Sequence, residues 1–251
     1  MTTRTTKRDA GTPTWFDLMT SDIDAAKTFY AEILGWNYLD TGADFGHYNL
    51  AVSQGHNAAG MGPIPPGAEM PSAWTVYFAS DDASADAERV KTLGGQVMSE
   101  HTVGDLGKMA ICTDPTGAAF GLWQAINHIG AGVENEPGGM CWCEVNTRDS
   151  AAALDFYTKL LTLTPTKMEG MEYHILQRGE EMLCGIMQMD DDWEGVPSHW
   201  LGYFAIDNTD EAVERAATVG GKVQVPAFDM EYGRTAVLSD PAGANFGIVQ
   251  A

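Results

Sequence analysis

Basic side chains are scarce in this chain: 14 Lys and Arg stand against 35 Asp and Glu in 251 residues, a formal charge of -21. Phosphate binding depends on clustered Lys and Arg, so neither duplex nucleic acid nor an anionic membrane is expected as a partner. Long apolar runs are missing too. Nothing approaches the roughly 18 uninterrupted apolar residues of a membrane-crossing helix, and the first ten residues carry no apolar run behind their basic residues, as a secretory leader would. A soluble, cytoplasmic protein is the expectation. The four cysteines, Cys112, Cys141, Cys143 and Cys184, are too few for a disulfide scaffold. Cys141 and Cys143 fall on one face of a strand, but no second pair completes a tetrahedral set for a soft metal, and buried structural thiols are expected. Histidine is limited to six positions. No Gly-rich phosphate loop, His-Glu-x-x-His or nucleophile elbow is present.

What the chain does have is repetition. Trp15-Phe16-Asp17-Leu18, Asp22 and Phe29-Tyr30 recur as Trp142-Cys143-Glu144-Val145, Asp149 and Phe156-Tyr157, each offset by 127 positions. Pro71-Ser72-Ala73-Trp74 answers Pro197-Ser198-His199-Trp200, and Asp114-Pro115-Thr116-Gly117 answers Asp240-Pro241-Ala242-Gly243. The halves therefore read as tandem copies, residues 1–126 and 140–251, joined by a linker over 127–139 where Gly and Pro accumulate. Each half divides again. A short Trp-containing apolar run leads to a polar cap and a stretch with helical spacing: 21–34, 83–93, 150–161 and 209–219. Strand-patterned segments such as 47–52 and 108–113 follow. The repeating unit is βαβββ, present four times, in an α+β protein. The Asp-Pro-x-Gly sequences predict hairpin turns.

With Leu34-Gly35-Trp36 closing the first helix, Leu93-Gly94-Gly95 the second, and Asp114-Pro115-Thr116-Gly117 behind them, the chain resembles the vicinal-oxygen-chelate superfamily of glyoxalases, bleomycin-resistance proteins and extradiol dioxygenases. More narrowly, Asp114 to Gln124 with Asn127-His128-Ile129-Gly130-Ala131 resembles an actinobacterial group of tandem proteins named as hydroxylases or culture-filtrate antigens. The resemblance implies two tandem glyoxalase-like domains, each a strongly curved sheet with a ligand cleft on its concave side. It also implies where a divalent ion would be ligated. Those positions carry Trp15, Thr75 and Gly121 in the first half, and Trp142, Leu201 and Gly247 in the second. Only Thr75 has a donor, a weak one, so no metal and no cofactor are expected; Asn49, near the remaining ligand position, does not rescue the set.

Strand parity places Trp15, Asp17 and Met19 on one face with Thr75, Tyr77, Ala119, Gly121 and Trp123, and Trp142, Glu144 and Asn146 with Leu201, Tyr203, Asn245, Gly247 and Val249. Aligning Trp74 and Trp200 with Trp15 and Trp142 would shift that parity by one. Trp15, Tyr77, Trp123, Trp142 and Tyr203 are the expected ligand-binding residues, with Gly121 and Gly247 leaving room for a planar apolar ligand. Asp17 and Glu144 are costly as core residues and are the candidate general acid or base. His47 and His174, also 127 apart, are candidate cleft residues. Lys108 and Arg234 either hold an oxyanion or balance neighbouring carboxylates.

Three functional readings follow. The first is a metal-free binder of an apolar or aromatic small molecule, serving drug sequestration or natural-product tailoring. The second is a glyoxalase-like lyase or isomerase, or a dioxygenase or hydroxylase, using a divalent metal or Asp17 and Glu144. The third is an interaction protein with an acidic surface. A monomer or homodimer is expected.

Overall fold

The computed structural model describes residues 3–250. Four βαβββ units follow one another. The first is β1 (Pro13–Thr20), α1 (Ile23–Leu34), β2 (Asn37–Asp40), β3 (Asn49–Ser53) and β4 (His56–Pro63). The second is β5 (Ala73–Ala79), α2 (Ala83–Thr92), β6 (Gln96–Val103), β7 (Gly107–Thr113) and β8 (Ala119–Ala125). The second half repeats them as β9 (Met140–Thr147), α3 (Ser150–Leu161), β10 (Thr164–Lys167), β11 (Tyr173–Arg178) and β12 (Glu181–Gln188), then β13 (His199–Ala205), α4 (Thr209–Thr218), β14 (Lys222–Met230), β15 (Gly233–Ser239) and β16 (Asn245–Gln250).

The helices begin where a short polar side chain can accept from the first turn. Asp22, Asp82, Asp149 and Asn208 each cap a backbone N–H three residues on, as N-cap chemistry requires. Gly35 ends α1 in the left-handed region, and Gly94 and Gly220 turn the chain after α2 and α4 at φ 92° and 88°. The Asp-Pro-x-Gly sequences form the predicted turns between β7 and β8 and between β15 and β16. Asp114 Oδ1 accepts from the N–H groups of Thr116 and Ala118, and Asp240 Oδ1 from those of Ala242 and Ala244.

The units pair within a half. Each half is one eight-stranded sheet, ordered β2-β3-β4-β1-β5-β8-β7-β6 and β10-β11-β12-β9-β13-β16-β15-β14, with β1–β5 and β9–β13 as antiparallel central seams. The seam fixes the parity. Trp15 lies opposite Tyr77 and Asp17 opposite Thr75, while Trp74 lies opposite Leu18. Trp74 and Trp200 therefore face away from Trp15 and Trp142.

On that other face the halves share a core. Trp74 meets Phe204 at 5.2 Å between ring centroids, Phe78 meets Trp200 at 5.1 Å and Phe16 meets Phe204 at 5.6 Å. Helices cross over: Tyr30 of α1 packs 5.1 Å from Phe246 of β16, and Tyr157 of α3 packs 5.6 Å from Phe120 of β8. The indole N–H groups of Trp74 and Trp200 donate to Tyr30 and Tyr157 hydroxyls at 2.8 and 2.7 Å, so these buried aromatics leave no polar atom stranded.

The expected linker is a packed connection. Thr3 bridges to Val133 and Glu134 to Met140. The buried Glu134 carboxylate is held by both Arg4 and Arg8, as a charge removed from water must be. All four cysteines are free thiols, Cys141 half-buried and the others buried. Among the described residues no helix is long and apolar enough to cross a membrane.

Candidate functional site

Each concave face carries the same chain of polar contacts. In the first half Trp15 Nε1 donates to Tyr48 Oη at 3.1 Å, and the hydroxyls of Tyr48 and Tyr77 donate to Asp17 Oδ2 at 3.4 and 3.2 Å. In the second, Trp142 Nε1 donates to Tyr173 Oη at 2.9 Å, and the hydroxyls of Tyr173 and Tyr203 reach Glu144 Oε2 and Oε1, both at 2.8 Å. The extra methylene of Glu144 lets each tyrosine take its own oxygen at a strong hydrogen-bond distance. The shorter Asp17 offers only one, and its Oδ1 is buried without a partner among the described residues.

The consequence is electrostatic. Burial drives Asp17 up from the usual carboxylate range to about 7, against the smaller opposing pull of the Tyr77 and Tyr48 hydroxyls. Burial also raises Glu144, with the hydroxyls of Tyr173 and Tyr203 again opposing. The phenols beside each carboxyl are pushed above their ordinary value by burial and by the facing negative charge. Each network thus holds one carboxyl among two phenols and an indole.

The glycines of the cleft face serve the tyrosines. A Cβ on Gly121 would stand 2.1 Å from the Tyr77 ring, and one on Gly247 would stand 2.0 Å from the Tyr203 ring. On the other side of the seam, Gly60 makes room for Tyr48 and Gly185 for Tyr173, with Cβ-to-hydroxyl distances of 1.6 and 1.9 Å. Gly121 and Gly247 were expected to leave space for a ligand; the protein's own phenol rings fill it.

The candidate histidines do not join these networks. His47 precedes β3 in a left-handed conformation, φ 57°, exposed and 3.1 Å from Asp40. His174 lies in β11 beside fully buried Ile186, on the face opposite Tyr173. Their shared offset of 127 is a coincidence of numbering. The tyrosines that correspond are Tyr48 and Tyr173, 125 apart, because the loop before β11 (168–172) is shorter than the loop before β3 (41–48). Sequence reasoning missed both tyrosines. The signal was available in Gly60 and Gly185, glycines inside strands facing Asp17 and Glu144, a pattern that marks close approach of another group. Arg234 balances carboxylates, pairing with Asp210 and Asp229 at 2.9 Å each.

The residues at the implied ligand positions do not fit a divalent ion. Gly121 lies beside Tyr77, and Gly247 beside Tyr203, so Trp15, Thr75 and Gly121 share one cleft face and Trp142, Leu201 and Gly247 the other. Together they offer one hydroxyl and no carboxylate, imidazole or thiolate. A single carboxyl per face, hydrogen-bonded to phenols, does not make up the three or more ligands such an ion takes. Among the described residues no group of three or more His, Cys, Asp or Glu is arranged to hold a metal ion. Two surface cavities, of about 430 and 660 Å³, lie away from both networks, beside Arg89 and Arg178 and beside Arg148 and Glu194.

The comparisons match this architecture. The model of the Glyoxalase/Bleomycin resistance protein/Dioxygenase superfamily covers residues 12–122 and again 126–248. "Putative glyoxylase CFP32" of Mycobacterium tuberculosis is 43% identical over 249 residues, 96% of this chain and 95% of that protein. "Anthracycline biosynthesis protein DnrV" of Streptomyces peucetius is 38% identical over 259 residues, 96% of this chain and 93% of that one. Among solved structures, the Mn(II)-bound glyoxalase from Novosphingobium aromaticivorans superposes with a TM-score of 0.68 at 14% identity, covering 96% of this chain and 82% of that one. The 2,3-dioxygenase LapB from Pseudomonas sp. KL28 gives 0.66 at 12% identity, with 96% and 92% covered; at such identities these likenesses speak to fold alone. Two family-model matches that together span nearly the whole chain, on sheets built from four βαβββ units, establish that this protein belongs to the Glyoxalase/Bleomycin resistance protein/Dioxygenase superfamily.

Proposed function

We propose that this protein is a metal-free member of the superfamily that binds an aromatic small molecule and serves the tailoring of a natural product. One observation carries the reading. On the cleft face that carries the implied ligand positions, each half instead joins a tryptophan, two tyrosines and a single buried carboxyl in one hydrogen-bonded chain. Aromatic walls with a few converging polar groups are the usual make-up of a small-molecule site. The naming of one relative for anthracycline biosynthesis agrees with a planar, oxygenated ligand. Titrating the protein with hydroxylated polycyclic aromatics is expected to quench tryptophan fluorescence saturably, with the same affinity before and after chelator treatment. Affinity that vanishes with chelator and returns with a divalent metal would overturn the metal-free reading.

A second reading is favoured by Asp17. A carboxyl titrating near 7 is matched to proton transfer at neutral pH, and no hydrogen bond from the described residues occupies its Oδ1. On this reading the protein is a cofactor-free lyase or isomerase. Asp17→Asn is then expected to abolish turnover while sparing ligand affinity; unchanged turnover removes Asp17 from the chemistry.

A further inference from the structure

The two networks are alike, but their coverings are not. Over the first, the His128 ring stands edge-on to Trp15 at 4.6 Å and to Trp123 at 5.6 Å, and Trp123 Nε1 donates to the His128 carbonyl at 2.8 Å. Phe45, from the loop before β3, reaches the β6–β7 turn, where a Cβ on Gly104 would lie 3.6 Å from its ring. The first cleft is thereby roofed from two sides. In the second half the position of Trp123 is taken by Val249, the corresponding loop is the shorter one, and Trp142 retains exposed surface where Trp15 is buried.

The outer wall differs in the same direction. Phe228 and Met230 lie opposite Thr235 and Gly233, which puts them on the concave face, and they are 44% and 42% exposed. Their counterparts in the first half are His101 and Val103, opposite Met109 and Gly107. Two large apolar side chains two positions apart on the same strand give the inside of this trough an apolar edge that a ligand can cover.

A second, independent observation lies at the end of this trough. Asn146 is on the same face of β9 as Trp142 and Glu144, flanked by His199 on β13 and Met187 on β12. It is 0% exposed, and neither Nδ2 nor Oδ1 has a partner. A carboxamide offers two donors and two acceptor lone pairs, and leaving all of them empty in the interior is rare enough to call for an occupant. The first half has Met19 at this position, with its sulfur against Gly62; the unpartnered buried atom of that cleft face is a single carboxyl oxygen, Asp17 Oδ1.

We propose that the second cleft is the ligand-binding one and that Asn146 is its polar anchor, taking an aromatic ligand that carries a carbonyl beside a hydroxyl. This rests on the small-molecule reading above and deepens it. The carbonyl accepts from Asn146 Nδ2 and the neighbouring hydroxyl donates to Oδ1, while the ring system lies along β9 against Trp142, with Phe228 and Met230 as the outer wall. Four residue steps along the strand lead from Trp142 to Asn146, about 13 Å at strand rise, which suits a fused polycyclic ring. Glu144, with both oxygens already bonded at 2.8 Å, keeps the floor rigid and does not compete for the hydroxyl.

The test uses alizarin, a planar quinone with a hydroxyl beside a carbonyl, and anthracene, the same ring system without oxygens. Quenching and calorimetry are read on the wild type and on Trp15→Phe, Trp142→Phe, Asn146→Met and Val249→Trp. Expected are quenching that survives Trp15→Phe and falls in Trp142→Phe, alizarin affinity reduced about tenfold or more in Asn146→Met with anthracene unchanged, and loss of both ligands in Val249→Trp. Asn146→Met installs the residue of the first half and removes an unpaired amide, so it is expected to fold; Val249 is partly exposed and provides a check that does not depend on Asn146. Quenching lost in Trp15→Phe and kept in Trp142→Phe would assign the ligand to the first cleft and overturn the proposal. Equal affinity of Asn146→Met for alizarin would likewise overturn the anchor. Failure of the wild type to bind any planar aromatic would instead overturn the small-molecule reading itself.

Discussion

Replacing Asp17 by asparagine is expected to flatten the pH dependence of folding stability. The folded carboxyl titrates near 7, whereas the ordinary aspartate value is 3.8. Between those values the native protein holds a proton that the unfolded chain has released, so protons favour the folded state and stability falls as pH rises through the window. Below the ordinary value both states are protonated and above the native value neither is, so the effect levels off at each end. A displacement of that size corresponds to roughly 4 kcal/mol across the window. Glu144 is displaced in the same direction and adds to the slope. Asparagine keeps the shape of Asp17 and has no proton to lose. Urea denaturation of wild type and Asp17→Asn at several pH values in the window therefore gives a difference in unfolding free energy that changes by several kcal/mol. A constant difference would show that Asp17 does not carry the buried proton.

Why this carboxyl is so displaced follows from a detail that no pattern in the sequence announces. Strand parity finds Asp17 and Glu144 on the cleft face with Trp15 and Trp142, because alternation is a property of any strand, and the tandem repeat supplies both strands twice. It finds Tyr77 and Tyr203 as well, once the β1–β5 seam rules out the competing alignment through Trp74. It does not find Tyr48 and Tyr173. They reach their partners across the sheet from β11 and from the loop before β3, and the change in loop length breaks the offset by which the halves are aligned. It also misreads His47 and His174, whose matching numbers survive where their environments do not. Nor does the sequence reveal that residues 127–139 pack. His128 roofs the first cleft and Glu134 binds Arg4 and Arg8, contacts between segments far apart in the chain. The four units, the helices, the caps and the turns are local and were legible. The difference between the two clefts depends on long-range contacts and was not.

The second large effect is expected from the smallest change on the cleft face. Gly247 and Gly121 sit in ordinary extended strands, with no positive φ to penalise another residue, so alanine is admissible to the backbone. What it meets is a ring. The added Cβ would stand 2.0 Å from Tyr203 in one case and 2.1 Å from Tyr77 in the other, well inside van der Waals contact. The tyrosine must lift, which breaks its bond to Glu144 or Asp17 and opens packing on the seam. Overpacking of this kind costs about 3 kcal/mol, and a carboxyl that loses a hydrogen bond while remaining buried adds to it. Each single alanine is therefore expected to lower the unfolding free energy by at least that amount. The cause is separable from any effect on the strand itself by repeating Gly247→Ala in a Tyr203→Ala background. With the ring gone the methyl has room, and the added cost is expected to fall below about 1 kcal/mol, leaving a coupling energy of about 2 kcal/mol between the positions. Additive costs would mean that Gly247 serves the strand backbone and that the phenol ring does not depend on it.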